Sequence, residues 1–364
     1  MIPIFEPLIT EEDKKNVIHC LETNWFSSQG NFILEFEKKL ALIHNLSDCA
    51  VTSNCTTALH LALLALDIGP GDEVICPDLT FIAPANMIML TGAKPVLCDV
   101  DPKTLCIRSD LIENLITKQT KALMVVHAFG HMSYMPDIMK IAQKYNIKII
   151  EDVAEAPGAK IDGHLAGTFG DIGCFSFFAN KIFTTGEGGA CISNNNELIE
   201  KIKILRDHGM SKERRYYHPI LGFNYRMTNM QAGLGLGQIN RFNIILEKRN
   251  KIDKLYKDLF KKFSNLHYRS YANWCKGVFW LSTISVSPNL NRDKLIQFLK
   301  EKGIEARQMV NPVHTAPPFS HLPNKHLINS KKISLSSLHL PSSLSLTKEN
   351  VIFICETLRK IVDE

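Results

Sequence analysis

A chain of 364 residues with 45% apolar and 22% charged residues carries enough apolar mass for two packed units. Its net charge of +5 is too small and dispersed to point to nucleic acid, and no apolar run approaches the length of a membrane span. Ten cysteines without a Cys-x-x-Cys pair argue against a disulfide framework or a metal site, and for a reducing cytoplasm.

Residues 1–7 lack the basic-then-apolar pattern of a signal peptide. From there the first two-thirds alternates helical patterns with short apolar runs. Residues 57–66, 83–91, 109–116 and 135–145 read as helices, and 73–77, 95–100, 121–127 and 148–153 as strands. A further buried strand is predicted over 174–178. Such alternation predicts a mostly parallel sheet covered by helices, with ligands collecting at the carboxyl ends of the strands. After about residue 240 the pattern changes. Residues 241–263 read as a long charged connecting helix, 278–287 as a strand, and 292–302 as a helix stopped at Gly303. The predicted organisation is an α/β domain over 1–240 and a smaller α+β domain over 241–364, with the first ~25 residues packing on the smaller one.

Four segments carry candidate chemistry. Residues 52–63 place Ser53, Cys55, Thr56 and Thr57 before an alanine- and leucine-rich helix. That turn suits a phosphate, whose charge favours free N–H groups and the positive end of a helix dipole, and it equally suits plain capping. Asp152 and Glu155 follow an apolar strand, where a carboxylate faces the ligand crevice or caps a helix. Lys181 leaves an apolar, aromatic strand into a Thr/Gly-rich turn. A partly desolvated amine there suits Schiff-base chemistry, and the plainer reading is a lysine that reaches back to solvent. Residues 222–232 hold Asn224 and Arg226 in a polar loop ahead of a helix of small residues, which reads as a subunit contact or a capped surface turn.

The order of these four segments, together with residues 69–77, 175–189 and 214–228, resembles the DegT/DnrJ/EryC1/StrS sugar aminotransferases from about Ile4 to the C-terminus. The resemblance implies fold type I and pyridoxal 5'-phosphate, with pyridoxamine phosphate as the aminated form. It implies a nucleotide-linked keto sugar as acceptor and L-glutamate as donor. GDP-4-keto-6-deoxy-mannose is the expected sugar, and a dTDP- or UDP-linked 3- or 4-keto sugar the alternative. It makes Lys181 the covalent cofactor lysine, Asp152 the partner of the pyridine nitrogen, and Phe81 the aromatic stacked on the ring. Cys55, Thr56, Thr57 and Ser176 would meet the phosphate, and Asn224 would reach the phosphate of a neighbouring subunit in a homodimer. Glu155 is expected near the cofactor's phenolic oxygen or at the substrate, Tyr217, His218, Arg226 and His314 at the substrate, and Arg214 or Arg215 could clamp its diphosphate.

Three positions depart from the family pattern: Cys55 and Ala179 stand for glycines, and Phe81 for a tyrosine. A positive φ at Cys55 would carry strain. A dehydratase on this scaffold would have histidine in place of Lys181. A non-catalytic sensor would not need Lys181, Asp152 and Ser176 together, and the Gly-x-Gly-x-x-Gly of a dinucleotide oxidoreductase is missing.

Overall fold

The computed structural model describes residues Met1–Val362. Its N-terminal part holds α1 (Glu11–Glu22), α2 (Asn31–Ile43), β1 (Cys49–Thr52), α3 (Cys55–Ala65), β2 (Glu73–Pro77), α4 (Ala83–Leu90) and β3 (Lys94–Cys98). Next come α5 (Ser109–Ile112), β4 (Thr120–Val126), α6 (Met135–Tyr145), β5 (Lys148–Asp152), the hairpin β6 (Lys160–Ile161) and β7 (His164–Leu165), β8 (Ile172–Ser176) and β9 (Gly189–Ile192). The strands assemble in the order β1-β9-β8-β5-β4-β2-β3. Pairings from β8 through β3 are parallel, and β9 alone runs against both its neighbours.

Helices cover both faces of this sheet, so β1, β8 and β9 are buried along their whole length. On one face α3, α4 and α7 (Asn196–Leu205) supply Leu59, Leu63, Ile88, Ile199 and Ile202. On the other, α2, α6 and α8 (Asn229–Asn240) supply Phe36, Leu40, Ile138 and Leu236. In α6 the buried Met135, Ile138, Ile141 and Ala142 recur at helical spacing, Pro136 sits in the first turn, and Asn146 ends the helix in a left-handed conformation, φ 52°.

The small residues of α8 serve packing within the chain. A Cβ on Gly233 would lie 2.9 Å from the Phe32 ring, and one on Gly237 2.3 Å from Asp13 Oδ1. These glycines let α8 lie directly on α1 and α2, so the predicted subunit contact is not what uses them.

The rest of the chain is α9 (Phe242–Phe260), β10 (Leu266–Tyr268), β11 (Ser282–Val286), α10 (Arg292–Glu301), β12 (Arg307–Gln308), α11 (Ile328–Ser336), β13 (Ser337–Leu340) and α12 (Lys348–Val362). An antiparallel sheet, β10-β11-β13-β12, packs Ile284, Leu338 and Leu340 against Tyr256, Leu299 and Ile354 from three of these helices. The first residues and α1 go to different places. Ile2 bridges Ile304, whereas α1 packs on α8, with Arg241 holding Asp13 at 2.8 Å. The strand predicted over 278–287 starts four residues late. Val278 instead donates its N–H to Gly130, and the Trp280 indole N–H is held by Asn180, so this stretch is tied to the larger sheet's loops.

Candidate active site

The carboxyl end of β5 places two acidic residues where the neighbouring parallel strands also end. Asp152 is almost fully buried. Its Oδ1 accepts the Ala154 N–H at 2.9 Å and faces the Cys55 thiol at 3.9 Å, so its Oδ2 remains for another partner. Burial pushes its carboxyl up from the ordinary value, against the pull of the Ala154 N–H and Lys181. Glu155, one turn on, accepts the Phe129 N–H on Oε2 at 2.6 Å. Its carboxyl too is pushed up by burial, against the pull of Lys181.

The loop between β8 and β9 carries Lys181. Phe177 anchors it, its carbonyl accepting from the Thr184 hydroxyl and the Thr185 N–H, while the Lys181 N–H closes a turn on Phe178. This geometry aims the amine inward. Lys181 Nζ lies 4.0 Å from Glu155 Oε1 and 4.0 Å from the centre of the Trp280 ring, with 13% of the side chain exposed. Among the described residues no full-strength hydrogen bond holds it, which leaves the amine available for reaction.

The third component is the start of α3. Asn54 caps it: its side chain takes the Thr57 N–H at 2.9 Å, while the Thr57 hydroxyl donates to the Asn54 carbonyl. The capping reading therefore describes Asn54 and Thr57. The N–H groups of Cys55 and Thr56 remain as first-turn donors without an intrahelical acceptor. Cys55 has ordinary helical backbone, so the strain considered for a non-glycine residue there does not arise. Ser176 pairs with Gly189, and Gly189 with Thr52, which brings the Ser176 hydroxyl to the same edge as this helix start.

Gly189 makes that approach possible. A Cβ there would sit 2.4 Å from the Asn54 carbonyl carbon and 2.6 Å from the Cys55 nitrogen. Both are backbone atoms that cannot swing aside. Gly189→Ala is therefore expected to cost about 1–3 kcal/mol of stability and to weaken anion binding at this turn, read by denaturant unfolding and phosphate titration.

The remaining candidates lie further out. Phe81 follows β2 with 62% of its surface exposed. His314 is bonded through Nδ1 to the buried Asp78 at 2.8 Å, and its N–H donates to the same carboxylate. Arg226 pairs with Asp207 at 2.8 Å, and its Nε–H donates to Asn224, which is exposed. His218 bonds the His208 carbonyl, and Arg214 lies over the Tyr217 ring at 5.2 Å. Arg215, His218 and Arg226 line a cavity of about 1340 Å³ together with Trp25 and Tyr216, and neither Lys181 nor Asp152 borders it. Within the chain, then, Lys181, Asp152, Glu155 and Cys55 lie together, and the 222–226 loop reaches the same turn through its backbone, the Ser53 N–H donating to the Tyr225 carbonyl at 2.8 Å, while the Arg215, His218 and Arg226 side chains line the separate cavity.

Two parts of the site escape the sequence reading. Glu151 is fully buried beside Asp152 and accepts from Gly167, Phe169 and Gly170 as well as meeting His127 Nε2 at 2.8 Å. The Ser133 N–H donates to His127 Nδ1 at 3.2 Å, so Nε2 is the nitrogen that faces Glu151. This brace holds the strand end that carries Asp152, and a histidine at the end of the β4 run was its only signal. Trp280 is the other, and nothing in an apolar stretch sets it apart from a core residue.

The chain matches known proteins along nearly its whole length. The family model described as the DegT/DnrJ/EryC1/StrS aminotransferase family matches residues 7–359. A GDP-perosamine synthase of Caulobacter vibrioides is 40% identical over 99% of this chain and 98% of that relative. One of Escherichia coli O157:H7 is 40% identical over 100% and 99%. The solved PLP-form of Spr1654 from Streptococcus pneumoniae superposes with a TM-score of 0.94 at 27% identity, covering 100% of this chain and 98% of that one. The site and these likenesses place the chain in the DegT/DnrJ/EryC1/StrS aminotransferase family.

Proposed function

We propose that the protein transfers an amino group from L-glutamate to the 4-keto group of GDP-4-keto-6-deoxy-mannose, giving GDP-perosamine and 2-oxoglutarate. Membership of the family makes it a pyridoxal-phosphate aminotransferase. The observation that carries the sugar is the 40% identity to two GDP-perosamine synthases over essentially the full chain.

The residues present fit the cofactor. A buried carboxylate with one uncommitted oxygen suits a protonated ring nitrogen, free first-turn N–H groups and a serine hydroxyl suit a phosphate, and the Lys181 amine lies near that carboxylate and 4.0 Å from Glu155. Bound pyridoxal phosphate supplies the electron sink and the carrier for the amino group. Asp152 Oδ2 would keep a proton on the ring nitrogen. Cys55 and Thr56, through their N–H groups, and Ser176, through its hydroxyl, would hold the phosphate. Phe81 would lie against the ring. Lys181 Nζ, once uncharged, takes the proton from the donor's α-carbon and later returns one to the sugar's C4. Glu155 steadies that amine, and the His314 ring, fixed by Asp78, faces the sugar. The decisive experiment presents GDP-, dTDP- and UDP-linked 3- and 4-keto sugars with glutamate and reads the amino sugar by mass. Turnover of another sugar without the GDP-linked 4-keto sugar sinks this substrate assignment.

The active unit in this reading is a homodimer in which Asn224 reaches the partner's phosphate and the 214–226 segment meets the nucleotide across the interface. Exposed Asn224 and the exposed Trp25, Tyr216 and Leu221 support it, as do Trp25 and Tyr216 bordering one large cavity. Mixing Lys181→Ala with Asn224→Ala subunits is expected to restore about a quarter of the wild-type sites, because each hybrid has one intact site. No recovery on mixing, or full activity in a strict monomer, removes the shared site. Ten free cysteines, and the lack among the described residues of any helix long and apolar enough to cross a membrane, support the cytoplasm as its place.

A further inference from the structure

Trp280 touches the reactive lysine at two points. The ring face lies 4.0 Å from Lys181 Nζ, and the indole N–H donates to the carbonyl of Asn180, the residue before the lysine, at 2.7 Å. The ring is itself held. It stacks on Phe129, with centroids 6.1 Å apart and planes 17° from parallel. Phe129 donates its N–H to Glu155, and Glu155 faces the same lysine amine from another side. Four residues thus close a loop, Lys181, Trp280, Phe129 and Glu155, with the Phe129–Glu155 link made through the Phe129 backbone N–H.

Each member is fixed from behind. Arg269 donates to the carbonyls of Ala128 and Phe129, holding the turn in which Phe129 takes a left-handed φ of 52°. The buried Arg249 reaches the carbonyls of Phe279 and Trp280 at 3.3 Å. Val278 bonds Gly130 across the same junction. So much backbone anchoring for one indole, only 5% exposed, exceeds what filling a gap requires. An ammonium over a desolvated indole face is also held electrostatically by the ring quadrupole.

We propose that Trp280 is the positioning residue of Lys181. Its face seats the free ammonium beside Glu155 whenever the lysine is not covalently engaged, and its N–H sets the backbone from which the lysine projects. The amine released during transfer then returns to one place, within reach of the carbon whose proton it must move, instead of sampling the crevice. This rests on Lys181 being the reactive amine, as argued above, and is independent of which sugar is used.

Full-length protein freed of cofactor gives the test without turnover. Limited reductive methylation with formaldehyde, read by peptide mass, reports how available the Lys181 amine is against exposed lysines. Trp280→Leu removes both contacts and is expected to speed Lys181 modification roughly five- to thirtyfold, while Trp280→Phe, which keeps a ring face, stays within about threefold of wild type. Equal acceleration in both variants, or none in either, overturns the seat. A second readout leaves the core intact, should the leucine variant fail to fold. With 5-fluorotryptophan in place of the three tryptophans, the Trp280 fluorine signal is assigned by its loss in Trp280→Phe. Lys181→Met is expected to move that signal, and Lys181→Arg, which keeps a cation over the ring, to move it much less. Equal shifts, or none, also overturn the proposal. Failure of the sugar panel leaves every one of these signals unaffected, so the two readings fail separately.

Discussion

Lys181→Ala is expected to lower turnover by at least about 10⁴-fold, because in the proposed reaction one side chain supplies both the covalent link and the proton transfer. No other amine can substitute in place: the neighbours of Lys181 Nζ are the Glu155 carboxylate and the Trp280 ring. The variant should fold, since the lysine makes no full-strength hydrogen bond and its backbone turn on Phe178 is untouched. Purified protein should lose the visible-edge absorbance of lysine-bound pyridoxal phosphate while keeping its far-ultraviolet circular dichroism. Residual turnover within tenfold of wild type would show that the proton is moved elsewhere.

Asp152→Asn is expected to give opposite changes in activity and stability. Asparagine cannot hold a proton on the ring nitrogen as a carboxylate does, so turnover should fall by about 10²–10⁴-fold. Cofactor-free protein should become more stable at pH values above the folded-state pKa of Asp152. Folding raises the pKa of Asp152, chiefly by burial, so the ionised form is disfavoured in the native state. The stability linked to that shift is complete below the unfolded carboxyl pKa and is lost as pH rises through the folded one. The variant never incurs that loss, so its advantage should appear above the folded pKa and vanish in acid. Denaturant unfolding at several pH values reads this directly, and an advantage that persists unchanged in acid would exclude the ionisation argument.

Much of the larger sheet was legible because burial on both faces leaves a plain mark. β2, β4 and β5 are short apolar runs between helical patterns, and α6 was read to the residue because its apolar spacing, first-turn proline and terminal asparagine agree. β1 and β9 were not read. They are four residues each, and β9 is mostly small residues whose strand character comes from pairing on both sides. Residues 109–116 break into α5 and a 3₁₀ turn, a change of hydrogen-bond pattern with no side-chain signature.

The site divides along the same line. Asp152 and Lys181 stand out in the sequence because charge at the end of a core strand is costly and so carries information. That cost is local and marks the strand ends where ligands gather, while the chemistry those groups perform came from the resemblance of the four segments taken together, in which a lysine at 181 favours transamination over dehydration. Only the folded chain decided what surrounds those groups. Trp280 lies about a hundred residues from Lys181 and meets it because Val278 and Gly130 join two distant segments. Asp78 and His314 are more than twice as far apart in sequence and bond directly. The glycines of α8 looked like an interface and instead bring three helices of one chain together. Contacts between distant segments follow from the whole packing of the sheet and its helices, and no single run of residues encodes them.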